Sequence, residues 1–529
     1  MTYEMYTITK RDAKVELDTR NGVVRGLESA GIHIFKGIPF AAPIKGINRW
    51  LPPQPRRPFE GVFDATEHGL ACPQQTGAVP KWLISEAGFE YLKGMTALGP
   101  QGEDCLNLNV CTPTLEPSDA LPVMVWIHGG GFAIGSGSCP ETDGTALARQ
   151  GMVLVRLNYR LGCMGFMAGD GLFDGETCIG NRGLMDQVAA LQWVRDNIAQ
   201  FGGDPNNVTI FGSSAGGTSV AALLTSPKSE GLFHRAIIQS GPINLMPLED
   251  HLKCTRDVLK ALQIPLGDAE ALAAIPNKKI VGMLMQRFLF RRGSPYGKMS
   301  ATKLPFAGAY GTAFLPYDVL DAMAQGAARN IDLLVGTARH DGRGLSVAMP
   351  GPKALTTRFF NYMIAGMIGE TKEQRKAIVA KYKALMPDAP SFRVREQIQT
   401  DALYRMRSIR AAEIQRAFGN TFMYQFNWES PTFGGVLGAI HALDVPFVFN
   451  NLDRAKHLIG NIDEAQPLAT AMSEAWVSFA RTGTPSSPSL PQWPQYDKEA
   501  RQTMIFDREC RVESDPDGEM REIWGDMYW

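Results

Sequence analysis

Cysteine is scarce in this chain, with eight among 529 residues. Most stand alone, and none falls in a C-x-x-C or Cys/His spacing, which argues against a disulfide scaffold and against a zinc site of the usual kinds. An excess of either charge is missing too: 53 Lys and Arg face 54 Asp and Glu, for a net charge of -1. Without a basic field there is nothing to hold a phosphate backbone, and without a polybasic patch nothing to hold an anionic membrane, so neither nucleic acid nor lipid is an expected partner. No apolar run is long enough to span a bilayer. The opening MTYEMYTITKR has no apolar core and carries Glu4, so no signal peptide is expected and the reading is a soluble, cytoplasmic protein. A secreted mature form given a new starting Met would read the same. Low-complexity tracts, charge runs, repeats and convincing linkers are also missing. At 44% hydrophobic and 20% charged residues, the expectation is a single domain over 1–529, with inserted helical segments at about 248–301 and 345–418.

What is present is a repeating alternation of strands and helices. Residues 15–58 mix short apolar runs with Gly and Pro and read as antiparallel strands and turns. Residues 121–127 (LPVMVWI) and 152–158 (MVLVRLN) read as buried central strands. Leu184, Val188, Leu191, Val194, Ile198 and Phe201 recur at helical spacing, and the GGDP at 202–205 stops that helix. Further strands are expected at 208–211, 235–241, 331–336 and 421–426, the last taken as the final core strand. Strands alternating with helices predict an α/β fold with a large, mixed, mostly parallel sheet flanked by helices.

The chemistry concentrates at Gly212-Ser213-Ser214-Ala215-Gly216. This is G-x-S-x-G between a strand and a small-residue helix, the setting of a nucleophile elbow, and Ser214 is the candidate nucleophile. The pentapeptide alone fits equally a turn that uses Gly and Ser for geometry only. The strand at 121–127 ends in HGGGF, and three consecutive glycines at the carboxyl end of a central strand suit backbone N–H groups aimed into a site. A merely flexible loop is the plainer alternative. A serine nucleophile needs a base, and the base an orienting acid. The order Ser, acid, His makes Asp341, after the strand at 331–336, the acid and His441, after the strand at 421–426, the base. His340 is the rival base. His234, His251 and His457 read as surface or packing residues.

Here the chain resembles the type-B carboxylesterases, the esterase, lipase and cholinesterase family of the α/β-hydrolase fold. The likeness covers most of the chain through ordered motifs: GIPFA at 37–41, EDCLNLNV at 103–110, HGGGF at 128–132, NYR at 158–160, GLMDQ at 183–187, FGGDP at 201–205, GSSAGG at 212–217 and HALDVPF at 441–447. The resemblance implies a triad of Ser214, Asp341 and His441, with the backbone N–H groups of Gly130, Gly131 and Ala215 as the oxyanion hole. It also implies ion pairs of Arg49 with Glu103 and of Arg160 with Asp186, and a hydroxyl at Ser240 near the acid. Three departures count. Many relatives have Glu at Ser213 and at Asp341, and His128 stands where an aromatic residue is usual; the missing carboxylate at Ser213 and the change at His128 speak against a choline ester.

The expected activity is serine hydrolysis of a small carboxylic ester through an acyl-enzyme, with no cofactor or metal. An amidase or carbamate hydrolase on the same triad is the first alternative, and a non-catalytic binding protein of the same family the second. Gly342 is expected to permit the turn that aims Asp341. Cys72 and Cys105, which in secreted relatives close a loop, are expected to lie within bridging distance. Between them, Trp82, Leu83, Phe89 and Leu92 suggest an amphipathic helix near the site entrance, either a mobile lid or a fixed helix with its stripe buried. Thr302 and Leu304 fall where relatives shape the acyl pocket. Arg287, Arg291 and Arg292 suggest either a site for an acidic ester or, more plainly, a solvated basic helix end.

Overall fold

The computed structural model describes residues 13–75, 84–95, 99–169, 180–288, 307–348 and 371–525. In chain order its strands are β1 (Ala13–Thr19), β2 (Gly22–Ser29), β3 (Ile32–Pro39), β4 (Val62–Asp64), β5 (Asn107–Thr112), β6 (Leu121–Ile127), β7 (Val153–Leu157), β8 (Gly203–Ser213), β9 (Arg235–Gln239), β10 (Met246–Pro247), β11 (Ala309–Tyr310), β12 (Asp332–Ala338), β13 (Thr421–Phe426), β14 (Gln502–Phe506) and β15 (Arg511–Ser514). All but β10 and β11 belong to one large sheet, ordered β1-β2-β3-β5-β7-β6-β8-β9-β12-β13-β14-β15, with β4 beside β2. From β7 to β14 neighbouring strands run parallel. The two ends are antiparallel.

The reason β6 is an almost unbroken apolar run is that both sheet faces are covered. Val123, Val125 and Ile127 enter the core on one side, and Met124 and Trp126 enter the core on the other, as period-two side chains must. On the first side, after α1 (Glu86–Met95) in the chain, pack α2 (Arg182–Asn197) and α3 (Ala215–Thr225). The long helix at Ile462–Thr482 covers the second, with Trp476 against Tyr424 at 5.1 Å.

Most sequence expectations match these elements. The helix expected to reach Phe201 is α2 followed by a 3-10 turn at Ile198–Phe201, ended by Gly202 at φ 73°. Two expectations need correction. β13 is not the last core strand, because β14 pairs with it in parallel and β15 follows. The run at 502–506 is short and lies far beyond the last motif, so nothing local marked it. The strand expected at 208–211 begins already at Gly203. Of the expected insertions, helices at Leu248–Leu262, Ala269–Ala273 and Asn277–Phe288 represent the first, and helices at Lys372–Leu385, Ser391–Thr400 and Met406–Gln415 the second. Residues 289–306 and 349–370 lie outside the described residues, and with them Arg291, Arg292, Thr302, Leu304 and the side chain of Arg287.

Both implied ion pairs are present. Arg160 and Asp186 are fully buried and joined in a fork, Nε to Oδ2 at 2.8 Å and Nη2 to Oδ1 at 2.6 Å. Arg160 Nη1 faces the carbonyls of Asn48, Arg49 and Leu51, so the guanidinium also ties down the 3-10 turn at Gly46–Trp50. Arg49 Nη2 meets Glu103 at 2.5 Å.

Candidate active site

Parallel strands end on one edge of the sheet, and there the chemistry-bearing loops gather. β8 stops at Ser213 and α3 starts at Ala215, leaving Ser214 alone in the turn with φ 58° and ψ -123°. That backbone region is costly for a residue with a Cβ and persists only where its surroundings fix it. Here the Ser214 N–H donates to the Gln239 carbonyl at 2.9 Å, and the Ser214 carbonyl accepts from Thr218 N at 2.9 Å. Glycines make the fit feasible. A Cβ on Gly212 would lie 2.6 Å from the Ile127 carbonyl oxygen, and one on Gly216 would collide with the same oxygen. Ser214 is half-buried, and among the described residues its hydroxyl makes no hydrogen bond.

β12 delivers Asp341. Its Oδ1 meets His441 Nδ1 at 2.7 Å, while Oδ2 accepts from Ser240 Oγ at 2.9 Å and from Ala338 N at 3.0 Å. Asp341 is 1% exposed and His441 8%. Three donors thus fix the carboxylate with its second oxygen occupied, so the short Asp reaches the imidazole without distortion. Gly342 does not work through a left-handed turn. Its N–H donates to Thr400 Oγ1 at 2.9 Å, and a Cβ there would collide with the Glu396 carbonyl, so it lets the helix at Ser391–Thr400 close on the Asp341 turn.

His340, the rival base, is placed otherwise. Its Nδ1 accepts from Ala439 N at 3.1 Å and its own N–H donates to the Ala439 carbonyl at 3.1 Å, which stitches the Asp341 loop to the His441 loop. Burial first, then Arg343, Arg339 and Arg393, push it down to about 2, so it stays neutral.

The glycine loop runs directly against the elbow: a Cβ on Gly129 would lie 3.1 Å from Ser214 Cβ. Gly130 and Gly131 have φ 107° and 61°. Among the described residues, the N–H groups of Gly130, Gly131 and Ala215 donate to no protein acceptor. Gln74 clamps the loop from below, accepting from Gly135 N at 2.7 Å and donating to its carbonyl at 2.9 Å. His128 stacks on Tyr159 with ring centroids 4.4 Å apart, and its Nδ1 donates to the Gly129 carbonyl at 2.8 Å. Burial pushes this histidine down to about 4. Ser213 is buried with its hydroxyl unpaired.

Several residues around His441 were not legible beforehand. Tyr91 donates its hydroxyl to the His441 carbonyl at 3.1 Å. Tyr404 lies against the imidazole at 4.9 Å, from a π-turn at Asp401–Arg405. Three residues past His441, the buried Asp444 accepts from Gln239 at 3.0 Å and from Tyr424 at 2.9 Å. Only the HALDVPF motif, which contains Asp444, hinted at this layer, and it does not say what that side chain touches. Among the described residues, no group of three or more His, Cys, Asp or Glu is placed to hold a metal ion, and no helix is long and apolar enough to cross a membrane.

Comparison with known proteins places the chain in a family. The model of the carboxylesterase family matches residues 13–524. The para-nitrobenzyl esterase of Bacillus subtilis (strain 168) is 37% identical over 509 residues, covering 95% of this chain and 97% of its own. The phenmedipham hydrolase of Pseudarthrobacter oxydans is 32% identical over 488 residues, covering 90% and 92%. Among solved structures, a Geobacillus stearothermophilus carboxylesterase superposes with TM-score 0.82 at 34% identity, covering 96% of this chain and 99% of that one. The chain therefore belongs to the carboxylesterase family, enzymes of the α/β-hydrolase fold that hydrolyse carboxylic esters.

Proposed function

We propose that Ser214, His441 and Asp341 form the catalytic triad, and that the N–H groups of Gly130, Gly131 and Ala215 form the oxyanion hole. The observation that carries this reading is the 2.7 Å contact of His441 Nδ1 with a fully partnered Asp341, on the sheet edge where Ser214 occupies the strained elbow. Asp341 holds the proton of His441 on Nδ1, leaving Nε2 free to take the Ser214 proton as the hydroxyl oxygen attacks the ester carbonyl. The tetrahedral oxyanion is met by three amides that have no other protein acceptor among the described residues. His441 then returns its proton to the departing alcohol, and an acyl-enzyme forms. Water attacks it with the same histidine as base, releasing the acid and regenerating Ser214.

Uncharged aryl and benzyl esters are the first substrates to assay, because a para-nitrobenzyl esterase shares 37% of the sequence over nearly the whole chain. The absence of Glu at position 213 fits an uncharged alcohol group. A fluorophosphonate probe should label the wild type stoichiometrically and leave Ser214→Ala unlabelled. Equal labelling of the variant would overturn the assignment. The same preparation, given matched ester, amide and carbamate substrates, reads which leaving group it accepts.

A further inference from the structure

Beside the turn that carries Asp341 lies a cavity of about 210 Å³ that the proposed reaction does not use. One wall is the helix at Ser391–Thr400, whose Arg393, Glu396 and Gln397 share one face; the opposite wall is His340 and Arg343, at the start of the short helix Arg343–Ala348. Met386 and Ala389 contribute apolar surface.

Charge in this lining does not balance. Glu396 is its carboxylate, and that group is already engaged, accepting from Arg393 Nη1 at 2.8 Å and from Ser346 Oγ at 2.5 Å. Arg343 Nε stands 3.7 Å away from it, too far for a hydrogen bond. The Arg343 side chain is only 14% exposed, yet among the described residues it donates no hydrogen bond. A guanidinium has five N–H donors, and one so enclosed ordinarily finds acceptors for them. Its position is fixed by packing, since a Cβ on Gly438 would collide with it. Burial, then Arg393, push Arg343 down to about 10, opposed by Glu396 and Glu429. His340 adds a donor: with Nδ1 accepting from Ala439, its neutral ring carries the proton on Nε2.

We propose that this cavity binds a small oxyanion, a carboxylate or inorganic phosphate, between the guanidinium groups of Arg343 and Arg393, with the His340 Nε2–H as a further donor. Planar guanidinium forks match the paired oxygens of such anions. The volume is below that of ordinary drug-sized sites, which sets the ligand at a few heavy atoms. Short carboxylates are of the class that ester hydrolysis releases. A bound anion would rest against both catalytic loops, because Thr400 of one wall holds Gly342 and His340 of the other holds Ala439.

Isothermal titration of butyrate, and separately of inorganic phosphate, into the full chain at low ionic strength tests this. The expected result is one site per chain for at least one probe: butyrate alone identifies a carboxylate site, phosphate alone a phosphate site, and both a general oxyanion site. Arg343→Met should weaken binding by roughly tenfold or more, the scale of one lost charge-assisted hydrogen bond. Arg343→Lys, which keeps the charge and loses the fork, should fall between, and it serves alone if the Met variant does not fold. Failure of wild type to bind either probe would overturn the proposal, as would wild-type affinity in both variants. Binding is read without turnover, so the fate of the triad assignment does not decide this result.

Discussion

At the scale of single residues, the site is a set of side chains each given one job by its neighbours. Ser214→Ala and His441→Ala should each lower turnover by roughly 10⁴ to 10⁶ while near-UV circular dichroism stays unchanged. Asp341→Asn should be strongly impaired without matching loss of thermal stability, because the amide no longer imposes the Nδ1–H tautomer. Near wild-type rates in the Asn variant would remove Asp341 from the role. A different prediction concerns His128. Its folded pKa of about 4 lies below the ordinary 6.5, so under acid the unfolded chain binds a proton that the folded chain refuses. Stability is therefore full above pH 6.5 and drains as pH falls towards 4, by roughly 1.4 kcal/mol for each unit of the shift. His128→Phe keeps the stack on Tyr159 and removes the buried, unpaired Nε2. Urea titrations at pH 7 and pH 4.5 should show that this variant loses less stability on acidification than wild type. An equal loss in both would show that His128 does not titrate as its burial implies.

The element that departs most from expectation is the helix Glu86–Met95. The spacing of Trp82, Leu83, Phe89 and Leu92 predicts an apolar stripe along it. The first two lie outside the described residues, and Phe89 and Leu92 are only half-buried. The buried face is instead Ala87, Gly88 and Tyr91. Hydrophobicity alone could not find it, because two of these residues matter for being small or for a hydroxyl. A Cβ on Gly88 would collide with the Val347 carbonyl, and one on Gly344 would lie 2.7 Å from the Tyr91 hydroxyl. Two glycines thus bring this helix and Arg343–Ala348 together at the His441 backbone. The helix is a brace. Tyr91→Phe should cost on the order of 1 kcal/mol, the worth of one hydrogen bond, seen as a modest fall in kcat with KM little changed. A KM effect confined to bulky esters would instead restore the idea of an entrance lid. The flanking Cys72 and Cys105 are free thiols in hydrogen-bonding contact, and that contact, then burial, raises the Cys105 pKa well above its ordinary value. Both should resist a disulfide-exchange reagent in the native state and react only on unfolding. Bridging them during oxidative refolding should add roughly 3 kcal/mol by closing the loop. Rapid native labelling would show that this loop opens.

For the whole molecule, the order of motifs carried the architecture. The parallel centre was legible because two-sided burial writes apolar runs at 121–127 and 152–158, and the elbow because only glycines fit where β8, β6 and α3 converge. The far edge was not legible: β14 and β15 are short strands, and 502–506 differs little from any exposed apolar stretch. The layer of Tyr91, Tyr404 and Asp444 escaped for another reason, since its partners lie far away in sequence and no local pattern encodes them. That same distance governs how the enzyme comes into being. Asp341 and His441, joined at 2.7 Å, are 100 residues apart along the chain, and Ser214 lies earlier still. Closing such long loops is slow relative to forming local helices. After dilution from denaturant, far-ultraviolet circular dichroism should therefore recover first and esterase activity last, with fluorophosphonate reactivity keeping step with activity. Catalysis in this chain is thus a clock for the final contacts of folding, and a nick between β12 and β13 should delay it even where the helices return on time.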